Sequence, residues 1–183
     1  MTTINFFLES LKKFKIIGTV IPSSRVSAKK MIEPIDFTRA KLIVELGGGT
    51  GAITREILAN MRQDAELIVF EINYPFSQTL GNLNDHRLTV VNDSAVKLVD
   101  YLKSRGIKKA DYVISTLPLA IMDQTTVTKV LKEVTAALDA QGRYIQIQYS
   151  LVSREKIRKN FSVVKLGFTL FNFPPAFFYI CKP

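Results

Sequence analysis

Cysteine and histidine each occur once, as Cys181 and His86. A single cysteine excludes an intramolecular disulfide framework and any multi-cysteine zinc or iron–sulfur site. A single histidine excludes a two-histidine metal site. A Ser-His-Asp triad would have to use His86, and no nucleophile-elbow motif accompanies it. No metal is expected, and both residues read as surface or strand-end packing. No apolar run approaches the roughly 18 residues of a membrane span. Residues 4–8 make too short an apolar stretch for a secretory core, since Glu9, Lys12 and Lys13 follow at once. The expectation is a cytoplasmic protein. Nine glycines and seven prolines are too few for a collagen-like or low-complexity chain. No internal repeat is visible.

What is present fits one ordinary globular domain. The chain has 183 residues, 47% hydrophobic and 22% charged, enough for a sizeable core. Charge is unevenly spread. Residues 1–41 hold eight Lys/Arg against three Asp/Glu, and residues 153–183 hold six against one. The middle is nearly neutral. Basic ends around a neutral body point to a polyanionic partner surface, either anionic lipid or nucleic acid.

From 41 to 150 the pattern alternates strand and helix. Strands are expected at 41–46, 66–71, 88–91, 111–115 and 142–149, the last opened by a glycine turn at Gly142. Helices are expected at 52–60, 75–83, 94–104 and 125–138. Such alternation predicts a Rossmann-like α/β fold, a doubly wound, mostly parallel sheet with helices on both faces. A helix at 154–160 follows. Two strands, 162–170 and 176–181, are joined by Phe171-Asn172-Phe173-Pro174-Pro175. They form a hairpin that sets the last strand antiparallel to the rest. The expected division is an N-terminal helical extension, 1–40, and one domain, 41–183.

In the extension, Ile4, Phe7, Leu8, Leu11 and Phe14 recur at helical spacing. Gly18 to Pro22 interrupts, and Ser23 or Ser24 caps a second helix through Met31. The apolar spacing suits either a helix packed on the sheet or one lying on a membrane, with Lys12, Lys13 and Lys15 toward the headgroups.

The strongest chemical signal is Val44-Glu45-Leu46-Gly47-Gly48-Gly49-Thr50-Gly51. It ends a strand and opens a helix, the context a ligand-cradling glycine loop requires. Gly47, Gly49 and Gly51 permit the turn and close approach of a ligand, and the helix start favours an anionic group. Glu71, at the end of the second strand, can accept both ribose hydroxyls of an adenosine. Glu45 would repel a pyrophosphate, which argues against a nicotinamide dinucleotide. It suits a cofactor bearing an ammonium, which points to S-adenosyl-L-methionine (SAM). Asn92-Asp93-Ser94-Ala95 ends the third strand, where Asp93 can accept from an adenine amino group. Glu45, Gly47, Gly49, Gly51, Glu71, Asp93, Ser94 and Ala95 are the candidate cofactor residues.

This spacing resembles the seven-stranded class I SAM-dependent methyltransferases over residues 41–183. A narrower likeness covers almost the whole chain. Pro22-Ser23-Ser24-Arg25, the loop from Glu45 to Gly51, Ser115-Thr116-Leu117-Pro118-Leu119, Gln146-Ile147-Gln148-Tyr149 and Asn172-Phe173-Pro174-Pro175-Ala176 resemble bacterial phospholipid N-methyltransferases. Gly48 stands where that family's loop usually carries proline. The resemblance implies methylation of a membrane lipid amine of the phosphatidylethanolamine type, or of a related amino lipid such as an ornithine lipid. It implies Ser115, Tyr149 and Asn172 near the amine, and a peripheral membrane enzyme. Its N-terminal helix would meet anionic lipid through Phe7, Leu8, Leu11, Lys12, Lys13, Phe14 and Lys15. The turn 171–175 would line an acyl path or touch lipid; the alternative is a rigid turn with its aromatics folded inward.

Two other readings stay open. An RNA methyltransferase fits the net charge of +9 equally well. Adenine-N6 enzymes, however, carry Asn/Asp-Pro-Pro-Tyr or Asn-Leu-Pro-Tyr after the fourth strand, and this chain offers neither the amide nor the aromatic there. A non-catalytic SAM- or membrane-binding module is the other alternative, although nothing in the loop looks decayed.

Overall fold

A computed structural model describes residues 25–169 and 175–183. The elements run in the order α1 Arg25–Ile32, β1 Leu42–Leu46, α2 Ala52–Asn60, β2 Glu66–Phe70, α3 Tyr74–Gly81, β3 Leu88–Val91, α4 Leu98–Ser104, β4 Ala110–Ser115, α5 Gln124–Ala137, β5 Leu138–Gln148, α6 Arg154–Asn160, β6 Val163–Thr169 and β7 Ala176–Lys182. A single 3-10 turn, Ala95–Lys97, leads into α4. The first helix of the extension and the turn at 170–174 lie outside the described residues, as does Asn172.

The strands form one seven-stranded sheet ordered β3-β2-β1-β4-β5-β7-β6. β1 to β5 pair in parallel. β7 runs antiparallel between β5 and β6. The expected doubly wound sheet with an antiparallel last strand is what the chain builds.

Strands buried on both faces must be apolar at every position rather than alternately. β1, Leu-Ile-Val-Glu-Leu, is buried throughout, with Glu45 its one polar residue. Its two faces feed two cores. Val44, Leu46, Ile68, Phe70, Val113 and Tyr144 pack under α4, α5 and α6. Ile43, Leu67, Val69, Ile114, Ile145 and Ile147 pack under α1 and α2. Ala28 and Met31 of α1, with Ile35 beyond it, belong to this second core. Side-chain caps start the helices: Asn73 accepts from Phe76 N–H before α3, and Asp123 accepts from Thr126 N–H at 2.8 Å before α5. No helix among the described residues is long and apolar enough to cross a membrane.

Two local departures from the sequence reading have physical causes. The expected helix at 94–104 starts as a tighter 3-10 turn, because the Ser94 hydroxyl accepts from Val96 N–H at 3.4 Å. Gly142 does not open β5. The strand begins at Leu138, directly after α5, and runs through Gly142 at a register shift against β4. A Cβ on Gly142 would lie 2.9 Å from Asp139 O, 3.0 Å from Asp111 O and 3.1 Å from Ala110 O. Three backbone oxygens crowd the position, so glycine here allows strand approach rather than a turn. Gly142→Ala is expected to lower unfolding stability by about 1–3 kcal/mol, read as a shifted urea midpoint at unchanged slope.

Candidate active site

Strand order reverses between β1 and β4. In an open sheet of this kind, the crevice outside the carboxyl ends at that point is where ligands bind. Two loops border it, 47–51 after β1 and 116–119 after β4. Thr116 N–H donates to Leu46 O at 3.0 Å, and the Thr116 hydroxyl donates to Gly47 O at 2.6 Å. Gly47 has φ +84°, and a Cβ there would lie 2.9 Å from Thr116 Oγ1. Gly49 also has a positive φ, +51°, but no non-neighbouring atom lies within 4 Å of its Cβ position. Backbone conformation and packing both demand glycine at the first position, while the second leaves open space above the loop.

Beneath this loop lies Glu45, fully buried. Its Oε2 accepts from the Thr54 hydroxyl of α2 at 2.7 Å, and its Oε1 is buried with no hydrogen-bond partner. Burial raises the Glu45 carboxyl from 4.5 to about 8; the Thr54 bond opposes this and the nearby Glu71 charge adds to it. Neither acid forms an ion pair among the described residues. A buried carboxylate with one free oxygen and an acidic neighbour favours a cationic ligand.

Glu71 occupies the end of β2 and is buried. Oε2 accepts from Gly49 N–H at 2.8 Å and Oε1 from Asn73 N–H at 2.7 Å. The side chain therefore pins the glycine loop to the β2 exit, and each oxygen keeps a lone pair for a ligand hydroxyl. Ile72 follows it and is 75% exposed. Sequence reasoning passed over this residue. An isoleucine just past a buried strand and beside the candidate acid Glu71 is the available signal. Asp93 lies two residues beyond β3, accepting from Ser94 N–H at 2.7 Å and from Lys97 Nζ at 2.9 Å. The Lys97 bond, then the Ser94 backbone, hold its carboxyl below the usual range. Ala95 is buried under it.

On the far side of the crevice, β4 ends at Ser115 while β5 continues to Gln148. Gln146 and Gln148 fill the gap. Their amide nitrogens donate to Leu117 O at 3.1 and 2.9 Å and to Ile147 O at 2.7 and 2.6 Å. Leu119 N–H reaches Leu117 O as well, at 2.9 Å. Three donors thus converge on a carbonyl with two lone pairs. Gln146 also accepts from the Tyr144 hydroxyl, which burial shifts above its ordinary pKa. The period-two run Tyr144, Gln146, Gln148 between Ile145 and Ile147 was the legible trace of this polar row; its purpose depended on register with β4.

Of the acceptor-side candidates, Ser115 is fully buried, its Oγ accepting from Leu117 N–H at 3.3 Å. Tyr149 is partly buried and packs with Ile145 and Ile147 on the other sheet face. The structure sets Ser115 and Tyr149 on opposite faces of the sheet end. His86 lies in the loop before β3, exposed and at the other end of the strands.

A family model for the O-methyltransferase domain matches residues 12–170. The ornithine lipid N-methyltransferase of Singulisphaera acidiphila is 32% identical over 97% of this chain and 96% of its own length. The chain belongs to the class I SAM-dependent methyltransferases. A more distant relative, ribosomal RNA small subunit methyltransferase A of Thermotoga petrophila, is 27% identical over 61% of this methyltransferase and 42% of that protein. Among solved structures, the N-methyltransferase NodS of Bradyrhizobium japonicum shares the fold with a TM-score of 0.69 at 8% identity, covering 86% of this chain and 94% of that one. SAM is the cofactor of this methyltransferase. The site fits it: Glu45 Oε1 is an unpartnered buried acceptor suited to an ammonium, and Gly49 leaves the loop open.

Two outcomes are expected from this geometry. The folded chain keeps the Glu45 proton up to about pH 8, whereas the unfolded chain loses it near 4.5. Each pH step between those values favours the unfolded state, so cofactor-free stability is complete below about 4.5 and declines toward 8. Denaturant unfolding across this range should show the decline, and Glu45→Gln should flatten it. Gln148→Leu removes one amide from Leu117 O while Gln146 remains. It should lower unfolding stability by about 0.5–1.5 kcal/mol, the loss of one modest hydrogen bond, with SAM affinity unchanged by titration calorimetry.

Proposed function

We propose that this methyltransferase transfers a methyl group to the amine of a membrane lipid of the phosphatidylethanolamine type, acting at the membrane surface. The observation that carries this reading is the near full-length likeness to an ornithine lipid N-methyltransferase. The sole imidazole, His86, stands at the opposite end of the sheet and takes no part in proton transfer at the site. An amine carries its own lone pair once its ammonium form has lost a proton.

Bound SAM supplies a methyl already activated by its sulfonium, so the protein's task is positioning. Glu45 Oε1 receives the cofactor ammonium, and Gly47, Gly49 and Gly51 leave room for the chain that carries it. Glu71 takes ribose hydroxyls on its remaining lone pairs. Ile72 lies against the base, with Asp93, Ser94 and Ala95 at its polar edge. The Leu117 carbonyl accepts an N–H of the acceptor amine in exchange for one glutamine donor. Ser115 holds the loop that presents this carbonyl. The family likeness assigns Tyr149 and Asn172 to the amine, Tyr149 from the sheet face opposite Ser115; a tyrosine ring is able to hold a methylated cation through its π face.

The ribosomal RNA relative favours a second reading, a nucleic-acid acceptor, over 61% of the chain. Thr116-Leu117-Pro118-Leu119 lacks the amide and the aromatic that adenine-N6 chemistry uses. Methyl-labelled SAM, mixed with anionic liposomes containing phosphatidylethanolamine or ornithine lipid, decides between them, with bulk RNA in a parallel tube. Label is expected in the organic phase, and at least tenfold less with Glu71→Ala. Label in the RNA alone would overturn the lipid reading. Label in neither, with SAM still bound, would leave a small-molecule acceptor or a non-catalytic binder.

A further inference from the structure

Exposed large apolar side chains are not scattered over the described residues. Ile72 and Tyr74 sit beside the cofactor loop, and the other five fall between 151 and 168. Phe168 is 54% exposed and Leu166 42%. Both lie on one face of β6, opposite Phe177 and Tyr179 of β7. The Phe168 ring stands 5.0 Å from that of Phe177, itself only partly buried. The same row continues from Phe177 to Gln148 at the end of β5. Two antiparallel steps make β6 parallel to β5, so Phe168 stands at the carboxyl end of the sheet, where the crevice opens. The chain leaving β5 adds Leu151 and Val152, 41% and 67% exposed, before α6 covers this face with Ile157, with Phe161 just beyond it.

Charge around this patch is mostly basic. Arg154, Arg158 and Lys159 on α6 are exposed, Lys165 is exposed on the opposite face of β6, and Glu155, 3.9 Å from Arg158, is the one acid in residues 153–183. An apolar patch rimmed by cations suits an anionic bilayer, which takes the side chains into its interface and the charges at its headgroups. A second copy of the chain suits it less, because the same cations would face each other.

We propose that the β6 edge and the β5–α6 loop form a membrane-docking rim. Leu151, Val152, Leu166 and Phe168 enter an anionic bilayer and present its headgroups to the crevice between β1 and β4. The proposal rests on the lipid-amine reading above for its purpose, and is tested without turnover.

The variant is Val152→Ser with Phe168→Ser, both exposed and both outside the catalytic and cofactor-binding residues. Binding to sucrose-loaded vesicles of phosphatidylglycerol and phosphatidylethanolamine is measured by sedimentation. Turnover is measured separately on a short-chain, monomeric phosphatidylethanolamine. Vesicle affinity is expected to fall at least tenfold, with short-chain turnover unchanged and the thermal midpoint lowered by only a few degrees through loss of the Phe177 contact. Vesicle affinity within twofold of the parent would overturn the rim, as would loss of vesicle binding and short-chain turnover together. A dimer of the parent that the variant breaks into monomers would also overturn it, assigning the face to a second copy. If the parent binds vesicles, the variant does not, and neither lipid form is methylated, the rim stands and the amine reading fails.

Discussion

A buried carboxyl group without a counter-charge beside it lies at the centre of the sheet. Glu45 interrupts the otherwise apolar β1, the strand on which both cores are built. Burying it is unfavourable unless something else gains. Thr54 satisfies one oxygen only. The surrounding architecture maintains that imbalance: the glycine loop arches over it, Glu71 fixes the loop by its Gly49 N–H, and Thr116 joins the loop to the β4 exit. The cavity is thus rigid in backbone and holds a carboxyl group that keeps its proton while no cation stands beside it. In the binding mode proposed above, the SAM ammonium against Oε1 favours the ionised form.

The acceptor side follows a different logic. At the β4–β5 junction the sheet loses its ladder, and backbone carbonyls that would pair with a strand turn to side-chain amides. Amides hold the loop shape as a strand would, yet a side-chain donor exchanges for a ligand donor far more readily than a ladder bond does. The cofactor side is built from fixed backbone and the acceptor side from replaceable side chains. That contrast fits the proposed roles, a cofactor held in one pose on each binding and an acceptor whose hydrogen bonding changes as it is methylated.

Much of this was legible in the residues. The glycine loop, Glu71 and Asp93 announce three successive strand ends, and 52–60, 88–91 and 154–160 match α2, β3 and α6. What escaped depended on register. Gly142 reads as a turn because glycine usually marks one, and only the approach of Asp111 and Ala110 oxygens shows otherwise. Gln146 and Gln148 read as strand residues, and nothing local says that β4 stops short beside them. The resemblance sets Ser115 near the amine, and the loop after it folds back over its Oγ. Exposure at Ile72 and along β6 is likewise a property of the assembled sheet.

The position of β6 has one more consequence. Among the described residues it is the terminal strand and offers an unpaired row of backbone donors and acceptors along its outer side, at a stretch rich in Val, Leu and Phe. Such edges recruit foreign strands and seed aggregation unless something interrupts them. Lys165 and Gly167 are the interruptions here. Handling this protein is therefore a colloidal problem as much as a folding one. High salt screens the charges that keep copies apart, so precipitation should begin at this edge while the rest of the sheet is still intact.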